Sequence, residues 1–130
     1  MARAGVDGML ALKNELAFVY RAGGDMRPIR ADLDFRLIKS DGKVAFVDTK
    51  SFAGEYFTYS QLDPRQLQRA LVYATHRVPA GFVVWLNKAD QVVFYSAHVV
   101  AEAGPGSRFT AAQGVLLGGP LTFSLQGVFA

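Results

Sequence analysis

The stretch DFRLIKSDGKVAFVDTK, Asp34 to Lys50, decides how this chain folds. Leu33, Phe35 and Leu37 alternate with Asp32, Asp34 and Arg36. Further on, Val44, Phe46, Asp48 and Lys50 alternate with Ala45, Val47 and Thr49. A two-residue period is that of a strand. Between the two runs, Ser40-Asp41-Gly42 is turn chemistry, and Gly42 can supply the positive φ of a bulged three-residue loop. The spacing therefore predicts a β-hairpin. With that loop, Lys39 pairs with Lys43 and Asp34 falls opposite Asp48, their Cβ atoms about 4.5–5.5 Å apart. Lys50 shares their face. A two-residue Asp41-Gly42 loop would instead slip the register by one and send Asp34 and Asp48 to opposite faces.

Two facing carboxylates repel unless a positive charge sits between them. Mg²⁺ suits such a pair, because it takes one or two carboxylates, keeps several waters and accepts phosphate oxygens. A lysine beside it can hold or deprotonate an attacking water. The pattern D-Xn-(D/E)-X-K is that of a metal-dependent phosphodiesterase. The competing reading is a surface hairpin with scattered charges, and Asp41-Gly42-Lys43 shows the same triplet used simply as a turn.

Composition bounds the rest. At 130 residues and 51% hydrophobic, the chain is long and apolar enough for one domain with a real core. We expect a single domain over 1–130, with its core at about 7–103 and the tail 104–130 as a candidate interface. No apolar run approaches the roughly 20 residues of a membrane span, and MARAGVDGML does not read as a signal peptide. The absence of cysteine excludes disulfides and thiolate metal sites and points to a cytoplasmic location. His76 and His98 are poor material for a zinc site. A net charge of +3 tolerates a polyanionic partner without demanding one.

Along the chain, Met9, Leu12, Leu16 and Val19 fall at helical spacing, which predicts a helix over 7–22 with Glu15 at the edge of its buried face. Arg27 and Arg30 flank Pro28 in a short connection, available to phosphate or merely solvated. Residues 51–61, rich in aromatics, read as a third strand or an ordered loop, whose rings would pack on the sheet or stack on bases. Asp63-Pro64 opens a second helix with an acidic cap and proline at its first position. Leu67, Leu71, Ala74 and Val78 form its apolar face, with Arg65, Arg69 and His76 on the other side. Gln66 either completes a capping box with Asp63 or reaches toward the hairpin. GFVVWL, 81–86, reads as a buried central strand, followed by a strand at 92–96, a short helix at 98–103 and a helical turn at 110–114. The tail 121–129 alternates as a half-buried strand or a subunit contact. This order gives a mixed sheet with helices packed against it.

These residues resemble the PD-(D/E)XK nucleases. The resemblance rests on LDFRLIKSDGKVAFVDTKS, on FTYSQLDPRQ leading without a gap to a helix glutamine, and on PAGFVVWL as the next strand. Within that superfamily the chain is similar to Holliday junction resolvases of the RecU type, over residues 30–97. RecU proteins carry a long stalk before the first acidic strand, whereas Met26 to Asp32 covers that interval here, so the compact form looks archaeal- or phage-like. The resemblance implies an α/β (α+β) restriction-endonuclease-like fold, a mixed central sheet flanked by helices.

It also implies a function and a site. Asp34 stands for the first metal-binding acid, Asp48 for a position usually held by Glu, Lys50 for the catalytic lysine and Gln66 for the helix glutamine. Glu15 matches an N-terminal glutamate by approximate position. Asp34, Asp48, the main-chain carbonyl of Thr49 and, more weakly, Glu15 would bind Mg²⁺ or Mn²⁺. Arg27, Arg30, Arg65 and Arg69 would contact DNA. The implied activity is a structure-selective DNA endonuclease that resolves four-way junctions by paired nicks, which calls for a homodimer. The alternatives are a restriction or repair nuclease of the same superfamily, or a DNA-binding relative without catalysis.

Overall fold

A computed structural model of the chain describes residues 9–13, 18–20, 26–28 and 33–130, with 18–20 and 26–28 described by their main chain. The hairpin forms as β4 (Phe35–Ile38) and β5 (Val44–Phe52). Its register pairs Phe35 with Val47 and Arg36 with Phe46, the pairing that a three-residue loop predicts. The Lys39 N–H donates to the Lys43 carbonyl at 2.9 Å, and Gly42 adopts φ +87°. The slipped register is thereby excluded.

β5 is the hub of a six-stranded mixed sheet. The strand order is β1 (Leu10–Lys13), β4, β5, β7 (Ala80–Leu86), β8 (Gln91–Ser96) and β10 (Val115–Gly118). β5 and β7 run parallel, joined through the helix α1 (Pro64–Thr75), and the other neighbours are antiparallel. β2 (Phe18–Tyr20) pairs with β3 (Met26–Pro28), and β6 (Phe57–Thr58) with β9 (Arg108–Phe109). A short helix α2 (Ala97–Ala103) follows β8, capped by the Ser96 hydroxyl.

Both faces of the sheet are buried along β7 except at Trp85, which is why GFVVWL reads as a continuous apolar run. One face carries Phe82, Val84 and Leu86 beneath Leu67 and Ala70 of α1 and Val100 of α2. The other carries Leu37, Ala45, Val47 and Val83 beneath Leu125 and Val128. β7 and β8 approach closely at Gly81, where an added Cβ would lie 2.1 Å from the Tyr95 carbonyl oxygen. No helix among the described residues is long and apolar enough to cross a membrane.

Two expectations are corrected. The helix expected over 7–22 is not what the described residues of that range form: Leu10–Lys13 and Phe18–Tyr20 are strands. Met9 and Ala11 are buried while Leu10 is exposed, so the segment alternates, and it pairs with β4, Ala11 opposite Leu37. Pairing along the hairpin edge overrides the local helical spacing. The tail is not a strand either. Gly118, at φ +134°, turns the chain, the Ser124 N–H donates to the Leu117 carbonyl at 3.0 Å, and Leu125–Phe129 closes as a 3-10 helix.

Candidate active site

Asp48 is the buried charged side chain among the described residues, with relative exposure of 0%. Its place follows from strand alternation. Ala45 and Val47 face the second core, so Phe46, Asp48 and Lys50 face α1. Asp48 lies beside Phe82 and Lys50 beside Val84, both fully buried. A carboxylate in such company is costly unless it is paired.

Three groups meet it. The Lys50 ammonium lies 2.7 Å from Asp48 Oδ2. The Asp34 N–H donates to Asp48 Oδ1 at 3.1 Å. The Asp34 carboxylate is also close enough to act on Asp48. Burial pushes the Asp48 carboxyl above the usual carboxylate range, the Asp34 charge adds to this, and Lys50 opposes it. Oδ2, although in charge contact with Lys50, has no aligned hydrogen-bond donor. At 2.7 Å the contact is an ion pair with an imperfect hydrogen-bond angle.

Gln66 completes the group. Lys50 Nζ donates to Gln66 Oε1 at 2.9 Å. The helix cap is supplied without it: Asp63 accepts from the Arg65 N–H at 2.8 Å, and Pro64 occupies the first helical position. Of the two readings that local sequence left open, Gln66 therefore takes the one facing the hairpin. Lys50, with 26% of its side chain exposed, is held between Asp48 and Gln66 at the border of core and solvent.

The sheet also opens here. The Phe46 N–H donates to the Pro79 carbonyl, and the Phe52 carbonyl accepts from the Asn87 N–H, so even-numbered residues of β5 turn their main chain toward β7. The Thr49 carbonyl therefore points to the β4 side, and β4 ends at Phe35, opposite Val47. Asp34 sits at a bend just ahead of β4, exposed, rather than within the strand. The gap past β4 is bordered by Asp34, Asp48 and the Thr49 carbonyl, an all-oxygen set that suits a hard divalent cation.

The other sequence candidates fall elsewhere. Glu15 and Arg30 lie outside the described residues, and Arg27 is described only as main chain in β3. Among the described residues no cluster of three or more acidic, histidine or cysteine side chains forms. Arg65 is exposed and its guanidinium pairs with Asp63 at 3.2 Å. Arg69 departs from expectation. The helix buries Leu67 and Ala70, which turns Gln66, Arg69 and Tyr73 toward the hairpin on one stripe. Gln66 reaches Lys50, and Tyr73 stacks on Phe46 at 4.0 Å, so Arg69, half-buried, lies between them along the helix rather than on the far side. The Phe46–Tyr73 wall was missed in the sequence. Its signal was Tyr73 two helical turns after Gln66, on the same stripe.

No protein-family model and no curated protein matches the chain. Among solved structures, it is similar to Hjc, a Holliday junction resolvase from the archaeal hyperthermophile Archaeoglobus fulgidus. The TM-score is 0.59 over 88% of each chain, at 11% sequence identity. At that identity the likeness is one of fold, and the fold is mixed α/β, a restriction-endonuclease-like central sheet flanked by two helices.

Proposed function

We propose that this chain is a metal-dependent DNA endonuclease that nicks four-way junctions, a compact resolvase without the RecU stalk. The observation that carries the reading is Asp48. A buried carboxylate beside a second acid, with one oxygen short of an aligned donor, is destabilising in isolation and is relieved by a bound cation. Asp34, Asp48 and the Thr49 carbonyl would hold Mg²⁺ or Mn²⁺, with Glu15 as a further candidate. When bound, such an ion supplies Lewis-acid stabilisation of charge on phosphate and acidifies a coordinated water.

The chain's own residues do the remaining work. Lys50 presents its ammonium where the phosphate would lie and positions the attacking water. Gln66 fixes the Lys50 rotamer through its Oε1 and offers its amide N–H groups to phosphate or water. The Phe46–Tyr73 stack and the apolar wall of Phe82 and Val84 exclude bulk water from one side, which strengthens every charge interaction in the site. Arg69, with Arg27 and Arg30, would take phosphate contacts. Two symmetric nicks require two such sites, hence a homodimer with two-fold symmetry.

The fold likeness to a Holliday junction resolvase supports this choice of substrate class. The test compares single-turnover nicking of a labelled four-way junction and a linear duplex of the same sequence, each with Mg²⁺. Preferential, symmetric nicking of the junction is expected. Equal cleavage of the duplex would move the protein to the restriction or repair type.

A further inference from the structure

Beyond the end of β5 an arginine lies over the face of a tyrosine, a pair that the site above does not use. The Arg108 guanidinium carbon sits 5.0 Å from the centroid of the Tyr56 ring. They meet because β6 and β9 pair over two residues, Phe57 with Phe109 and Thr58 with Arg108. Both members are exposed, Tyr56 by 43%.

The platform beneath them is rigid and leads back to Lys50. Phe57 and Phe109 are buried and stacked at 5.0 Å, and Phe57 stacks on Phe52 at 5.1 Å. Phe52 lies two residues past Lys50 on the same face of β5. The intervening loop is tied down: the Asn87 N–H donates to the Phe52 carbonyl at 2.9 Å, the Lys88 N–H to that of Gly54 at 3.3 Å, and the Tyr59 N–H to that of Ser107 at 3.0 Å. Two strand residues and two ring stacks keep the pair within about 20 Å of Lys50. That is at most about six nucleotides along a strand rising about 3.4 Å per phosphate.

Charge also points outward. Arg108 makes no ion pair among the described residues, and neither does Lys88 on the adjoining turn; Glu55 is the acid of the loop and is likewise unpaired. A guanidinium held over the face of an exposed ring is restrained there, and it keeps N–H donors free for phosphate.

We propose that Arg108, held over the face of Tyr56, clamps a backbone phosphate of the DNA a few nucleotides from the cleavage site. The identity of the partner rests on the nuclease reading above. The test is therefore made in EDTA, where no cleavage occurs: anisotropy titrations of a fluorescent four-way junction across a salt series, beside melting curves for each variant. Arg108→Ala should weaken binding about tenfold and lower the slope of log K against log salt by about 0.9, the value of one phosphate contact. Arg108→Lys should keep that slope with weaker binding, because it keeps the charge and loses the guanidinium fork. Tyr56→Phe should bind like the wild type, since the ring is retained. Tyr56→Ala should lose part of the affinity with the slope unchanged. An Arg108→Ala protein that melts normally and keeps both affinity and slope would overturn the clamp while leaving the nuclease reading standing. A wild type that binds no DNA would overturn both.

Discussion

Replacing Gln66 by alanine separates a structural role from a working one. Among the described residues the side chain makes one polar contact, Oε1 accepting from Lys50 Nζ at 2.9 Å. The helix start does not depend on it, because Asp63 caps the Arg65 N–H and Pro64 occupies the first turn. A hydrogen bond to a charged group is worth about 1.5–3 kcal/mol when dry. Lys50 is 26% exposed and can rehydrate, so the loss in folding stability should be at or below about 1 kcal/mol. Turnover should suffer more. Without Gln66, Lys50 keeps only the Asp48 contact, whose angle is poor, and its ammonium is free to swing toward solvent. Losing a positioned donor in a preorganised site costs roughly 10- to 1000-fold in rate. The assay pairs urea unfolding with single-turnover nicking of a junction. A clearly destabilised variant with full turnover would refute the reasoning and return Gln66 to a packing role.

Other consequences follow from the same geometry. Asp48→Asn should stabilise the metal-free protein near neutral pH, because burial disfavours the Asp48 charge and the partly exposed Lys50 can rehydrate. The wild-type carboxyl is raised in the folded state, so its protonated form is favoured there: wild-type stability should fall as pH rises through the folded-state pKa, and the advantage of Asp48→Asn should vanish below pH ~4. Urea titrations in EDTA from acid to neutral pH would show the opposite trend if Lys50 dominated the site. Mg²⁺ at about 100 times its Kd should raise wild-type stability by about 2.7 kcal/mol, with Asp34→Asn and Asp48→Asn largely unresponsive in melting curves; equal stabilisation of all three would place the ion elsewhere. Gly81→Ala should destabilise severely, by about 3 kcal/mol or more, since its Cβ would collide with the Tyr95 carbonyl across the β7–β8 pair; a normal melting temperature would contradict that packing.

Much of this was legible because local chemistry and tertiary structure agree. Ser40-Asp41-Gly42 sets the hairpin register, and with it the faces of Asp48 and Lys50. Asp63-Pro64 marks the start of α1 to the residue. Where a partner distant in sequence decides, the reading failed. Leu10–Lys13 is a strand because β4 offers an edge, while Met9, Leu12 and Leu16 happen to satisfy a helical stripe and small Ala11 hides the alternation. Arg69 was turned the wrong way because the stripe through Leu67, Leu71 and Ala74 looks as apolar as the arc through Ala70 that the helix buries. Gln66 fits both a cap and the site, and only the position of Lys50 distinguishes them. Arg108 and Tyr56 carry no signal of their meeting beyond their buried neighbours, Phe109 and Phe57.

The most direct test of the central claim is a nicking assay on a labelled four-way junction, run on the wild type and on Asp48→Asn and Lys50→Ala, each with Mg²⁺ and with EDTA. The wild type should nick with Mg²⁺ alone, and neither variant should nick although both still bind the junction. Nicking at the wild-type rate by Asp48→Asn, or a folded wild type that binds the junction and never nicks it with Mg²⁺ or Mn²⁺, would contradict the account.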